Sequence, residues 1–157
     1  MPFRARVAGS CSVGPARLVG MDPFPSDDMQ LTRLLVVSDI EVAKDWYTRV
    51  LGATLHGEYG GTSLVLQIVG AWLLVVTGGP PTEDKPSVTF APPADPDRVS
   101  AGAIFRVPDC RAAYETLRSR GADFLHEPVD NGYEVRAFFR DPDGHLFEIS
   151  SLHSDRG

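Results

Sequence analysis

Residues 134–151 carry a guanidinium, an aromatic ring and a carboxylate on strands that a tight turn should join. Side chains alternate between the two faces of a strand, so Arg136, Phe138 and Glu148 are predicted to share one face. A carboxylate can act as a general base, a guanidinium can hold a carboxylate or phosphate, and a ring can stack on a flat molecule. This face therefore predicts a small-molecule site.

The same parity extends the predicted site to strands elsewhere in the chain. These further residues are Thr32, Trp72, Leu74, Gly102 and Arg106. The cavity that they outline is mostly apolar with a few charges, as small-molecule sites usually are.

Structural roles remain open for the charged and aromatic members of this set. Glu148 and Arg136 can form an ion pair that only compensates burial, and Arg106 near a strand end can be solvated. Trp72 can belong to the core, and Phe138 can close the cavity as a plug. The sequence does not decide between these roles and contact with a ligand.

The histidines and cysteines do not form a recognisable metal or redox motif. His145 lies three residues from Glu148, an odd offset that places the two on opposite strand faces. His56 and His126 occupy matching places and are interpreted as rim residues. Cys11 and Cys110, the two cysteines, fit neither a disulfide framework nor zinc spacing. Unpaired thiols are typical of a reducing compartment, so a cytoplasmic location is expected.

Composition excludes two classes of partner. The 157 residues carry a net charge of -6, which disfavours the phosphate backbone of a nucleic acid. No apolar run approaches the ~20 residues of a membrane span, so no membrane partner is expected. Residues 1–29, with three arginines before the first acid, are predicted to be a disordered leader or an over-long start, with Met21 or Met29 as later candidates. They are left out of the fold argument.

An internal repeat organises the rest of the chain. VSDIEVAKDWYTRVLGATLH, from Val37, matches VPDCRAAYETLRSRGADFLH, from Val107, at a spacing of about 70 residues. In each copy an aspartate, Asp39 or Asp109, is predicted to cap a helix at its N-terminus. A glycine, Gly52 or Gly121, should end that helix. The predicted buried positions are Val42, Trp46 with Val50, and Ala113 with Leu117.

Each copy predicts a βαβββ unit, and the fold class is α+β. The units span residues 30–77 and 101–152 of a domain at 30–153, with a Pro-rich linker at 78–100 and a tail at 154–157. The predicted strands are Leu31–Val37, Ala53–Glu58, Thr62–Val69, Ala71–Thr77, Ala101–Val107, Ala122–Glu127, Glu134–Arg140 and His145–Ser151. A DPDG turn starts at Asp141, and Val88–Phe90 are expected to pair briefly with a sheet.

Two segments, VVSDIEVAKDWYTRVLGA and FFRDPDGHLFEIS, resemble the signature stretches of the vicinal oxygen chelate superfamily, which includes glyoxalases, bleomycin resistance proteins and extradiol dioxygenases. The resemblance implies that the sheet of each unit curls into a cup. It further implies that two cups enclose a site, within one chain or across a homodimer. The superfamily hosts many chemistries, so the fold alone does not assign a reaction.

The resemblance also implies where metal ligands would lie. First-strand ligands fall on Thr32 and Gly102, and last-strand ligands fall on Leu74 and Glu148. Of these four residues only Glu148 has a side chain that commonly binds a metal, whereas protein metal sites normally use three or four ligands. No cofactor is therefore expected, although a divalent metal held by non-standard ligands remains an alternative.

The favoured hypothesis is a metal-free homodimer that binds or sequesters a small, partly apolar molecule. In one variant of this hypothesis the molecule is anionic. The alternative is an enzyme of the same superfamily, with lyase or isomerase chemistry favoured over dioxygenase chemistry. Such an enzyme would use Glu148 as its base, with Arg136 or Arg106 stabilising an anion, or would use a non-standard metal site. A third hypothesis is a module without chemistry whose cavity is filled by side chains.

Overall fold

The computed structural model describes residues 24–153. The predicted leader lies outside the described residues as far as residue 23, and the tail 154–157 lies outside them entirely. The chain divides into two units, Met1–Gln30 and Leu31–Gly157. In the described part of the first, the backbone N–H of Met29 donates to the carbonyl of Ser26 (3.1 Å). The second unit carries the fold described below.

The first module of this unit is a four-stranded mixed sheet with one helix. Strand β1 is Thr32–Val37, helix α1 is Ile40–Asp45 with a π-helical continuation at Trp46–Val50, and the remaining strands are β2 Thr54–Tyr59, β3 Ser63–Ile68 and β4 Ala71–Thr77. Their order is β1-β4-β3-β2, and β1 pairs with β4 in parallel. We call this sheet 1.

The second module repeats this arrangement as sheet 2. Its elements are β5 Gly102–Arg106, helix α2 Cys110–Ser119, β6 Asp123–Phe124, β7 Val129–Asp130, β8 Glu134–Arg140 and β9 Leu146–Leu152. The order is β5-β9-β8-β6, β7 also pairs with β8, and β5 pairs with β9 in parallel. Two curled mixed sheets built from tandem βαβββ units confirm the predicted fold class.

The helix signals behave as predicted. The side chain of Asp39 accepts the N–H groups of Glu41 and Val42 (2.9 and 3.0 Å), and Asp109 accepts those of Arg111 and Ala112 (2.9 and 3.1 Å). These bonds satisfy backbone donors that the first helical turn leaves free. The glycine predicted after each helix takes a positive φ, 79° in the first module and 98° in the second.

One helix-face prediction and one strand prediction are wrong. Val42 is half exposed, because the buried stripe of the first helix runs through Ala43, Trp46 and Tyr47 to Val50. Of the predicted strand Ala122–Glu127 only β6, Asp123–Phe124, is present; residues 125–128 form no strand, and β7 follows beyond the predicted range. Pro128, which has no N–H to donate to a ladder, lies in that interruption.

A shared core lies between the two modules. It takes one face of sheet 1, one face of sheet 2, and the buried stripes of both helices. The Trp46 ring lies 5.9 Å from Phe147 and 6.3 Å from Phe139, which themselves stack at 5.4 Å between centroids. In the last hairpin, Ala137, Phe139, Phe147 and Ile149 are all buried in this core, and Val135 packs against it partly buried.

The linker between the modules folds on itself before it reaches sheet 2. Phe90 forms an antiparallel bridge with Gly79 inside the linker, so the predicted pairing of this segment with a sheet is wrong. Further along, Asp97 accepts a hydrogen bond from Arg140 on β8 (2.6 Å). This contact attaches the last part of the linker to β8. Within residues 24–153, no helix is long and apolar enough to cross a membrane.

The turn between β3 and β4 stores backbone strain. Val69 has φ 49° and Gly70 has φ 76°, while the flanking Ile68 and Ala71 pair directly. A two-residue hairpin loop with both φ values positive favours Asn-Gly, whereas a β-branched residue is strained there. The Val69 side chain is 87% exposed, so little packing compensates for this strain.

We expect Val69→Asn to raise the free energy of unfolding by about 1 kcal/mol, because asparagine tolerates the left-handed conformation. Urea denaturation measures the change. Val88→Asn is the matched control, since Val88 is exposed at 48% but has no positive φ. A loss of stability in Val69→Asn would contradict the assignment of strain to this turn.

Candidate functional site

Strand alternation divides the predicted site residues between two separate surfaces. Because the core takes one face of each sheet, the opposite face of each points away from it, and we call these the open faces. The open face of sheet 1 carries Thr32 opposite Trp72, and Leu34 opposite Leu74. The open face of sheet 2 carries the remaining members of the predicted set, which are Gly102, Arg106, Arg136, Phe138 and Glu148.

Glu148 lies at the centre of the open face of sheet 2. It is on β9, directly opposite Ile104 on β5 and Phe138 on β8. Its side chain borders a cavity of about 330 Å³. The residues that line this cavity are Val99, Ser100, Ala101, Gly102, Ala103, Ile104, Phe138, Leu146, Phe147 and Glu148. The cavity thus joins three predicted residues, Gly102, Phe138 and Glu148, with the end of the linker.

Glu148 faces the cavity without a hydrogen-bond partner. Only 7% of the residue is exposed, and its carboxyl group makes no hydrogen bond or ion pair to any residue of the described range 24–153. Its direct neighbours across the strands, Ile104 and Phe138, offer no donor. The carboxylate oxygens keep contact with solvent in the cavity, because Arg140 Nε is the one buried polar side-chain atom of the described residues that lacks a partner. Most carboxylates of such low exposure are paired within the protein, so this acceptor marks the cavity as a candidate site.

A charged cluster lies beside the cavity on the same face. Arg106 donates to Glu134 and to the buried hydroxyl of Ser150 (2.8 Å). Arg136 lies 3.8 Å from the other oxygen of Glu134, and its guanidinium stands 5.5 Å from the centroid of the Phe138 ring. The hydrogen bond to Glu134 raises the pKa of Arg106 above its usual range. Two guanidiniums thus share one carboxylate, which leaves this rim with one excess positive charge.

The ion pair between Arg136 and Glu148, one of the two roles that the sequence left open, is absent. Arg136 pairs with Glu134, its neighbour at i−2 on the same face of β8, while Glu148 lies opposite the ring of Phe138. Alternation placed these residues on one face but could not rank their distances. Sequence reasoning missed Glu134 as the residue that pairs with both arginines.

The open face of sheet 1 is apolar and aromatic. Leu34 is 41% exposed, and Trp72 is half-buried with its ring 4.8 Å from that of His56 in an edge-on arrangement. Thr32 is exposed at the end of β1. No residue of this sheet lines the cavity at Glu148. Within one chain, the sheet 1 members of the predicted set therefore do not meet the sheet 2 members.

The four positions that a metal would use do not fit a metal ion. Thr32 and Leu74 lie on sheet 1, Gly102 and Glu148 lie on sheet 2, and only Glu148 has a suitable donor. Among residues 24–153, no three His, Cys, Asp or Glu side chains are grouped so that they could hold one.

The histidines are engaged elsewhere. One ring nitrogen of His145, Nε2, contacts the carbonyl of Val36 (2.7 Å), and Nδ1 of His126 contacts the carbonyl of Glu127 (2.8 Å). Neither contact involves Glu148, and His56 packs against a tryptophan on sheet 1.

A buried hydrogen bond between the modules positions the strand that carries Glu148. The hydroxyl of Tyr47 donates to Asp141 Oδ2 (2.7 Å), while Asp141 Oδ1 accepts the N–H groups of Asp143 and His145 (3.0 and 2.8 Å). These bonds fix the turn that leads into β9 and attach it to the first helix. Tyr47 and Asp141 are 94 residues apart, and no local sequence signal links them.

Burial changes the pKa values of this pair. It raises the pKa of Asp141, and the hydrogen bond from Tyr47 acts against that rise. Burial, reinforced by the negative charge of Asp141, also raises the pKa of Tyr47 well above its usual range. The Tyr47 hydroxyl therefore remains a donor to the carboxylate.

A family model matches residues 30–149, and its description is Glyoxalase/Bleomycin resistance protein/Dioxygenase superfamily. The chain belongs to this superfamily. The match covers both modules and the linker, and it agrees with the resemblance carried by the two sequence segments. It assigns the fold and the family, but none of the chemistries that the family name lists.

Solved structures support this assignment. The structure of UcmS2 is 25% identical, with a TM-score of 0.60 over 78% of this chain and 96% of that one. TioX from Micromonospora sp. ML1 is 22% identical, with a TM-score of 0.62 over 80% and 99%. A genomically encoded fosfomycin resistance protein, FosX, from Listeria monocytogenes is 18% identical, with a TM-score of 0.57 over 81% and 95%. At these identities they show the shared fold.

Tyr47→Phe is expected to lower the free energy of unfolding by about 1–3 kcal/mol, since it leaves a buried carboxylate short of a donor. The loss should be larger at about pH 7.5 than at about pH 4.5. Burial makes the pKa of Asp141 higher in the folded state than in the unfolded chain, so the free energy of unfolding falls as the pH rises through that folded-state pKa. The variant removes the hydrogen bond that opposes this rise, so the pKa of its Asp141 is higher still. Urea denaturation at both pH values measures the difference, and an equal loss would contradict this role.

Proposed function

We propose that this protein binds a small, partly apolar molecule on the open face of sheet 2 and does so without a metal ion. The observation that carries the proposal is Glu148, a residue only 7% exposed whose carboxylate faces a cavity of about 330 Å³ and makes no hydrogen bond or ion pair within residues 24–153. Carboxylates of such low exposure are usually paired within the protein, so a ligand explains this one better than the fold does.

The rest of the cavity suits such a ligand. Phe138 offers a ring for stacking, Ile104 is 56% exposed, and Gly102 contributes backbone without a side chain to the cavity wall. The rim formed by Arg106, Arg136 and Glu134 adds one excess positive charge, so an anionic substituent could lie at the edge of the site. Burial of the apolar part would supply most of the affinity.

A second copy of the chain would complete the site. In one chain both open faces leave apolar side chains in water, Leu34 and Tyr59 on sheet 1 and Ile104 on sheet 2. If sheet 1 of one copy covered sheet 2 of another, Thr32, Trp72 and Leu74 would face the cavity at Glu148. The proposed binding form is therefore a homodimer with two equivalent sites.

Catalysis without a metal is the second candidate, and the same carboxylate favours it. An unpaired carboxylate in an apolar cavity suits a general base, and the neighbouring guanidiniums suit an anion formed by proton removal. Turnover that disappears in Glu148→Gln would support this candidate over simple binding. Turnover unchanged in that variant would remove Glu148 as the base.

A metal-free role predicts that the purified protein holds no stoichiometric metal. We expect far less than one equivalent per chain after dialysis against Zn, Ni, Mn or Fe(II), since one carboxylate binds a divalent ion weakly. Elemental mass spectrometry of the wild type and Glu148→Ala measures this. A fosfomycin resistance protein of the same fold has been crystallised with Mn(II), so it serves as a positive control. One tightly held metal per chain, lost in Glu148→Ala, would contradict the proposal.

The dimer predicts that a charge on an open face shifts the oligomeric state. Ile104→Glu is expected to increase the monomer fraction strongly, because it would bury a second carboxylate between the sheets. Light scattering after size exclusion measures the mass. Val42→Glu, on the helix and exposed at 49% compared with 56% for Ile104, is the matched control and should leave the mass unchanged. A wild-type monomer at all concentrations would contradict the dimer.

A further inference from the structure

The unpaired carboxylate also indicates which end of a ligand enters the cavity. We propose that the ligand presents a hydrogen-bond donor to Glu148, and that the preferred chemical class is an aromatic or aliphatic ammonium or amidinium. This inference rests on the proposed function and adds the polarity of the bound group. It concerns the inner end of the ligand and leaves the rim free for a different substituent.

The donor inventory around Glu148 supports this polarity. A carboxylate has two oxygens that accept hydrogen bonds and has nothing to donate. The nearest cations do not supply the missing donor, because Arg106 and Arg136 are both held by Glu134. The side chains opposite Glu148 are those of Ile104 and Phe138, which are apolar. Within one chain, no side chain of residues 24–153 donates to this carboxylate, so it is free to accept from a molecule bound in the cavity.

Charge excludes an anion from the same position. An anionic group beside Glu148 would place two negative charges together against a mostly apolar wall, where they repel each other. A cation instead gains a charge-assisted hydrogen bond, and its attached ring or chain can pack on Phe138. A neutral hydroxyl would gain a weaker bond. The expected order of inner groups is thus ammonium or amidinium, then hydroxyl, then apolar, with carboxylate last.

The site has room for one ring with a short polar substituent. A cavity of about 330 Å³ lies at the lower end of the range for small-molecule sites. Benzylamine, benzyl alcohol, toluene and benzoate are suitable probes, because they share a ring and differ in the group that would meet Glu148. Binding of each is measured by amide chemical shifts of the full-length protein, which also locate the probe beside Ile104, Phe138 and Glu148.

We expect benzylamine to bind about tenfold more tightly than toluene, with benzyl alcohol between them and benzoate weakest. In Glu148→Gln, which keeps the shape but removes the charge, benzylamine should lose about tenfold in affinity while toluene changes little. Asp123→Asn is the matched control, because Asp123 is an exposed carboxylate on the same sheet outside this cavity. It should leave all four affinities unchanged.

The possible failures are distinguishable. If toluene or benzoate binds in the cavity as tightly as benzylamine, and Glu148→Gln changes nothing, the donor inference is wrong while the proposed binding function stands. If none of the four probes shifts the amides around Glu148, the proposed function is contradicted, and the inference that rests on it is contradicted as well. An equal loss of benzylamine binding in Asp123→Asn would overturn the assignment to Glu148.

Discussion

The packing of the first helix against the last hairpin is the contact on which the rest of this structure depends. Trp46 meets the rings of Phe139 and Phe147, and this aromatic contact joins both modules into one core. Since strands alternate, fixing these residues inward turns Phe138 and Glu148 outward. The site is thus a direct consequence of the core. The buried bond between Tyr47 and Asp141 adds precision, because it anchors the turn that begins β9.

The two kinds of burial in this chain have different physical origins. Asp141 is buried and collects one hydroxyl and two backbone donors, so its burial is compensated by the fold. Glu148 is buried to a similar degree, 7% exposed against 5%, and has no such donors. The carboxylate of Asp141 thus serves the fold, whereas that of Glu148 faces a cavity without a donor from residues 24–153. This contrast within one chain is the basis on which we propose that Glu148 meets a ligand.

Much of the fold could be predicted because its signals are local. The alternation of Glu134–Arg140 gave the bounds of β8 correctly, and the capping aspartates marked both helices. Contacts between side chains far apart in the sequence were harder to predict. Alternation placed Arg136 with Glu148 on one face, but whether Glu134 or Glu148 became its partner depends on side-chain reach. Likewise, alternation predicted that Trp72 and Leu74 share one face of their strand. That this face points away from the core could be seen only from how the two sheets pack together.

Comparing the stability of Glu148→Met with that of the wild type tests the central claim most directly. If Glu148 is retained for a ligand, replacing it with an apolar side chain of similar length should raise the free energy of unfolding by about 1 kcal/mol in the absence of ligand, because the mostly buried side chain no longer carries a charge. Glu134→Met, which removes the partner of two arginines, should lower it. A clear loss of stability in Glu148→Met would show that the carboxylate serves the fold, and would contradict the account.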